Sequence, residues 1–320
     1  MSIRGPIVTG VAALLLAGCA TFDRSAFEED GVDEAAEMAK GGFYGESGGS
    51  AVARLTELRT LARTVDALKP QRPGVVDAYV VVAGLDSDGV FGREATETFK
   101  VLTRRYDADG RGILLASGEG ARGTVRATPA SLETALAAVA ERMDKTEDVL
   151  ILYTTSHGGP GVGVVFKDGD NGYGMVSPER LKAALDEVGI GRRMLLVSAC
   201  YSGQFVPVLG SAETIVVTAA AADRTSFGCA AGNDWTFFGD AAINGALRTP
   251  APFRTAVDAA FARIAKAEGD NGLRASNPQL FVGAAAGRWL DAIERRVPRD
   301  GTAKVGRSTL DQRTAVAHAD

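Results

Sequence analysis

Three short apolar runs constrain what this chain can fold into more than any other feature. Residues 75–83 (VVDAYVVVA), 148–154 (DVLILYT) and 193–198 (RMLLVS) are nearly continuous stretches rich in Val, Leu and Ile. A polar residue does not alternate through them, so each reads as a strand buried on both faces. Segments of helical spacing stand between them. One covers 95–106. Another covers 129–143 and opens on Thr128-Pro129, a side-chain cap followed by proline at the first helical position. A third runs over 177–188 and opens on Ser177-Pro178. A helix at 51–68, strands at 112–116 and 214–219, and helices around 235–246, 252–267 and 286–296 extend the pattern. Residues 162–166 and 173–176 flank Asp168-Gly169-Asp170-Asn171-Gly172 and read as a hairpin. Strands alternating with helices predict an α/β fold with a mostly parallel sheet covered on both faces.

With 320 residues, the chain is long enough to bury a large core as one large domain or two small ones. The net charge of -5, with acids and bases interspersed, lacks the basic footprint of a nucleic-acid partner.

The first residues read as a targeting segment. Arg4 precedes an apolar run over 7–16 that is too short to span a bilayer, so 1–18 is expected to be a signal peptide. Leu16-Ala17-Gly18-Cys19 resembles a bacterial lipobox, which implies acylation of Cys19 and a stable membrane anchor. An ordinary signal peptide with an incidental Cys is the alternative. Ala20 after the cysteine implies the outer membrane of the bacterial envelope, facing the periplasm. Residues 19–50, acidic and then Gly/Ser-rich, are expected to be a tether, 51–296 the folded domain, and the polar 297–320 a disordered tail.

The chemistry sits at strand ends. In such sheets ligands gather outside the carboxyl ends of the strands. His157 follows one buried strand and Cys200 follows the next major one. Neighbouring strands lie about 4.8 Å apart, so the two side chains are expected on the same sheet edge. An imidazole beside a thiol generates the nucleophilic thiolate. Backbone N–H groups of Gly158 and Cys200 are candidates for an oxyanion hole. The chain has two histidines, and the other, His318, lies in the tail. The competing reading is a Cys200–Cys229 disulfide, which an oxidising compartment permits.

Thr155-Ser156-His157-Gly158-Gly159 and Ser198-Ala199-Cys200-Tyr201-Ser202-Gly203 resemble the His and Cys boxes of the legumain (asparaginyl endopeptidase) family, in its bacterial lipoprotein branch. Glu147-Asp148-Val149-Leu150, the segment from Thr218 to Cys229, Thr236-Phe237-Phe238-Gly239-Asp240 and Ser276-Asn277-Pro278-Gln279-Leu280-Phe281 extend the likeness over about 75–285. The resemblance implies a caspase-like three-layer α/β/α sandwich with no metal and no cofactor. It also implies a Cys200/His157 dyad that cleaves peptide or protein substrates after Asn or Asp through a thioester.

Two positions depart from the family pattern. Val90 stands where legumains carry the Asn that orients the histidine, and Ser198 stands where they place a pocket Glu. The resemblance assigns substrate-binding roles to Arg93, Ser198, Ser226 and Asp240. An Arg93 with few acids nearby would favour Asp over Asn by charge pairing. A transamidase or ligase using the same thioester, and a catalytically silent binding lipoprotein, are the other functions compatible with these residues.

Overall fold

The computed structural model describes residues 41–311, apart from 43, 47–49, 119, 120 and 122. The expected signal segment 1–18, Cys19 and His318 lie outside the described residues. In chain order the elements are β1 (Tyr44–Glu46), α1 (Ala51–Asp66), β2 (Ala78–Gly84), α2 (Gly89–Arg105), β3 (Gly112–Ala116), α3 (Pro129–Arg142), β4 (Val149–Thr155) and β5 (Gly158–Gly159). They continue with β6 (Gly163–Lys167), β7 (Gly172–Val176), α4 (Pro178–Glu187), β8 (Arg193–Ser198), α5 (Phe205–Leu209), β9 (Thr214–Thr218), α6 (Phe253–Asp270), β10 (Gln279–Val282) and α7 (Ala286–Glu294).

Six strands form the central sheet in the order β10-β9-β8-β4-β2-β3. All pair in parallel except the edge strand β10, which is antiparallel to β9. Alternate side chains of each strand feed two cores. Ala78, Val80 and Val82 pack with residues of α2, α6 and α7, such as Leu102, Phe253 and Trp289. Tyr79, Val81 and Ala83 pack with residues of α3, α4 and α5, such as Leu136, Leu185 and Phe205. The result is the expected three-layer α/β/α sandwich. The caps at Thr128 and Ser177 form as the sequence implied: each side-chain hydroxyl accepts a backbone N–H of the first turn.

A second, four-stranded sheet in the order β1-β7-β6-β5 carries the hairpin and stands beside the histidine loop. Its edge strand comes from 44–46, so part of the expected tether is paired structure.

Three other expectations change. Helix α2 starts at Gly89 and not near 95, because Asp88 takes the extended N-cap position just after the strand loop. Helix α1 forms, yet it buries little: Leu61 and Val65 lean on the core, while Val52, Leu55 and Leu58 are exposed. The segment 297–311 is packed and not a disordered tail. Trp235 Nε1 donates to Val305 O at 2.7 Å, Thr309 Oγ1 to Trp235 O at 2.7 Å, and Leu310 is buried.

Asp240 anchors that segment. Its carboxylate accepts from Ser308 Oγ (2.6 Å), Leu310 N–H (3.2 Å) and Asn244 Nδ2 (3.1 Å). Hydrogen bonds to a buried charge contribute about 1.5–3 kcal/mol each. Asp240→Ala is therefore expected to lower stability by about 2–4 kcal/mol and to speed tryptic cleavage at Arg307. Unchanged proteolysis at Arg307 would contradict the anchoring role.

Candidate active site

Parallel pairing of β4 with β8 places Thr155 opposite Ser198. His157 and Cys200 each follow two residues later, so they leave neighbouring strands at the same level. Ser156 N–H donates to Ser198 O at 3.2 Å and continues the ladder past the strand ends.

Cys200 is 7% exposed, at the point where the chain turns sharply. Tyr201 takes a left-handed backbone conformation (φ 56°), uncommon for a non-glycine residue and frequent at functional turns. Its N–H donates to Arg224 O at 2.7 Å, which holds the turn. The Cys200 sulfur meets the Ser226 backbone: the N–H lies 3.3 Å and the carbonyl oxygen 3.5 Å from Sγ. An N–H aimed at sulfur is a contact that favours the thiolate. Cys200 and Cys229 are both free thiols, so the disulfide reading is set aside.

The imidazole is held from two sides. Val165 N–H donates to His157 O at 2.9 Å, pinning the loop to the hairpin. The Phe91 ring meets the imidazole edge-on, with centroids 5.1 Å apart and planes at 76°. Asp88 Oδ2 lies 3.9 Å from His157 Nε2. Asp86, fully buried, accepts the Asp88 N–H at 2.8 Å, and burial pushes its carboxyl above the usual range. Asp86, Asp88 and His157 each offer a ligand atom, all within 4.8 Å of one another. These two aspartates escaped the sequence reading, which looked for the orienting group at Val90. Val90 is fully buried in the core instead. The available signal was the acidic pair itself, in a loop just past a buried strand.

The two loops touch through backbone. A Cβ on Gly158 would lie 2.2 Å from Cys200 O, so only glycine allows this approach. Gln204 Nε2 bridges Gly159 O and Tyr201 O at 3.0 Å each. The N–H groups expected to form an oxyanion hole, on Gly158 and Cys200, therefore belong to abutting segments.

Below the pair lies Glu94 of α2, fully buried. Its Oε1 accepts from Tyr153 OH (2.7 Å), Thr155 Oγ1 (2.7 Å) and Ser198 Oγ (3.1 Å), and its Oε2 from Thr236 N–H (2.8 Å). One carboxylate thus ties the His strand, the Cys strand and the segment after 234. A carboxylate absent from position 198 is supplied from α2. The same facts remove Ser198 from the substrate pocket, because its hydroxyl is 2% exposed and engaged by Glu94 and Thr236. Asp240 is also removed, being fully buried against the C-terminal segment. Arg93 donates to Ala231 O (2.5 Å) and Asn233 O (2.6 Å) and pairs with Asp234 (3.5 Å), so it braces the 231–234 loop. Of the four expected substrate-binding residues, the structure brings Ser226 alone against Cys200.

Residues 134–268 match the sequence model of the Peptidase C13 family. That segment is similar to the legumain family. The matched span holds both His157 and Cys200, on the strands whose register sets the pair. The family is one of cysteine peptidases. No curated protein matches the chain. Among solved structures, the crystal structure of caspase-1 from Spodoptera frugiperda aligns with a TM-score of 0.43 at 13% identity, over 68% of this chain and 93% of that one.

Two substitutions test this arrangement. Gly158→Ala forces the histidine and cysteine loops apart, and a displacement of about 1 Å costs roughly 10²-fold in rate. A folded Gly158→Ala protein that hydrolyses a peptide reporter as fast as wild type would contradict the contact. Glu94→Gln sets an amide NH₂ among four converging donors, with an expected loss of about 1–3 kcal/mol in denaturant unfolding.

Proposed function

We propose that the chain is an endopeptidase that works through a Cys200/His157 dyad at the bacterial envelope. The single observation that carries the reading is the register-matched placement of the two side chains on adjacent parallel strands, with their loops in backbone contact. The Cys200 thiolate attacks the scissile carbonyl carbon. The oxyanion that forms is held by N–H groups of Gly158 and Cys200. His157 gives its proton to the leaving amine as the C–N bond breaks, and a thioester remains. Water, deprotonated by His157, then cleaves the thioester and restores the thiol.

Cleavage after Asn is favoured over cleavage after Asp. Arg93, the expected partner for an acidic substrate side chain, is occupied by Asp234 and two carbonyls. The side chain accepted next to the scissile bond must therefore be a neutral hydrogen-bonding one, which reverses the expectation drawn from sequence.

Acylation of Cys19, which lies outside the described residues, would hold this domain at the outer membrane facing the periplasm. No helix among the described residues is long and apolar enough to cross a membrane.

Fluorogenic peptides differing only in Asn or Asp before the scissile bond test the reading. Hydrolysis is expected with Asn preferred, lost in Cys200→Ala, and reduced about 10²–10⁴-fold in His157→Ala. Product masses separate water from amine as acceptor, and amine-joined products would assign a transamidase. Equal hydrolysis by Cys200→Ala would overturn the dyad. No turnover of any peptide by wild type would favour the silent binding lipoprotein.

A further inference from the structure

We propose that Asp86, Asp88 and His157 form a binding site for a divalent transition-metal ion of the zinc class, and that occupancy switches the dyad off. The binding stands on the geometry alone. Its inhibitory consequence rests on the peptidase reading above.

The donor set comes first. One imidazole nitrogen and two carboxylate oxygens lie within 4.8 Å of one another. Zn–N and Zn–O bonds are about 2.0–2.2 Å, so ligand atoms around one tetrahedral ion stand about 3.4–3.6 Å apart. His157 Nε2 and Asp88 Oδ2, at 3.9 Å, stand within about 0.5 Å of that spacing. Closing the set from its 4.8 Å bound takes up to about 1.4 Å, a movement within reach of a rotation of the Asp88 side chain, which is 36% exposed. Three protein ligands and a water make a four-coordinate zinc site. Calcium and magnesium favour all-oxygen shells with more ligands, which this set does not offer.

An independent observation points to a cation here. Asp86 is fully buried, and its two oxygens are not equally served. Oδ1 accepts the Asp88 N–H at 2.8 Å, while Oδ2 is buried with no hydrogen-bond donor among the described residues. A buried carboxylate oxygen without a donor is costly, and a bound cation relieves that cost. The other charge facing the group is Lys167, whose Nζ lies 3.9 Å from Asp88 Oδ1. Its side chain is 47% exposed and can withdraw into solvent when an ion binds.

The chemical consequence is simple. An imidazolium needs a proton on both ring nitrogens. A metal on one nitrogen, displacing its proton to solvent, prevents that state. The ring then neither takes the Cys200 proton nor delivers one to a leaving amine. The same two aspartates serve the histidine when metal is absent and capture it when metal is present.

Calorimetric titration of ZnCl₂ into the full chain carrying Cys200→Ala tests the site with the thiol removed as a rival ligand. One binding event is expected that Asp88→Asn, and separately Asp86→Asn, weakens by about tenfold or more. Should Asp86→Asn unfold by circular dichroism, Asp88→Asn, on the surface, decides alone. Affinity unchanged by these variants overturns the site, and so does binding that disappears with Cys200→Ala alone. In wild type, Zn²⁺ is expected to stop reporter hydrolysis and a chelator to restore it, with Asp88→Asn needing about tenfold more Zn²⁺. A wild type with no hydrolysis at all refutes the peptidase reading, while the calorimetry still decides the metal site.

Discussion

The register between β4 and β8 is the constraint on which the rest of this site depends. Parallel strands paired with Thr155 opposite Ser198 deliver the next residues of both strands to one edge at one height. A slip of a single residue would turn every side chain of one strand to the other face. Glu94 guards against that slip, since hydroxyls from both strands converge on its Oε1. A buried carboxylate is stable only when its oxygens are well served, and this one takes four donors. The charge therefore acts as a positional lock beneath His157 and Cys200.

Above that lock, contact is made by backbone and by small residues. Gly158 abuts the Cys200 carbonyl, the left-handed Tyr201 turns the nucleophile loop away, and Gln204 spans the two loops. The hairpin sheet fixes the histidine loop from outside through Val165. The aspartate loop after β2 closes the third side of the imidazole. His157 and Cys200 are thus surrounded by hydrogen-bonded elements, which is what the proposed catalysis by positioning requires.

Much of this was legible in the sequence, for identifiable reasons. The strands at 149–155 and 193–198 are apolar on both faces because helices cover both, and such runs stand out. The Thr-Pro and Ser-Pro starts of α3 and α4 carry their own capping chemistry. The pair at His157 and Cys200 followed from strand order. What was not legible depends on distant contacts. β10 is a short edge strand whose pairing with β9 is set by tertiary packing. The 297–311 segment is polar, and its order comes from Asp240 and Trp235 far away in sequence. The pocket assignments failed for a similar reason. The resemblance assigned Ser198 and Asp240 to the substrate pocket, but the hydrogen bonds each makes turn them into the interior. Glu94 was not singled out as a ligand for three other segments, because nothing local marks a side chain that reaches under a sheet edge.

The central claim is that Cys200 is a nucleophile served by His157. Intact mass measurement of the protein after brief mixing with an activated peptidyl ester tests it most directly. The account predicts a single acyl adduct that peptide mapping places on Cys200, forms slowly in His157→Ala and is absent from Cys200→Ala. An adduct on Cys229, or equal acylation rates with and without His157, would contradict it.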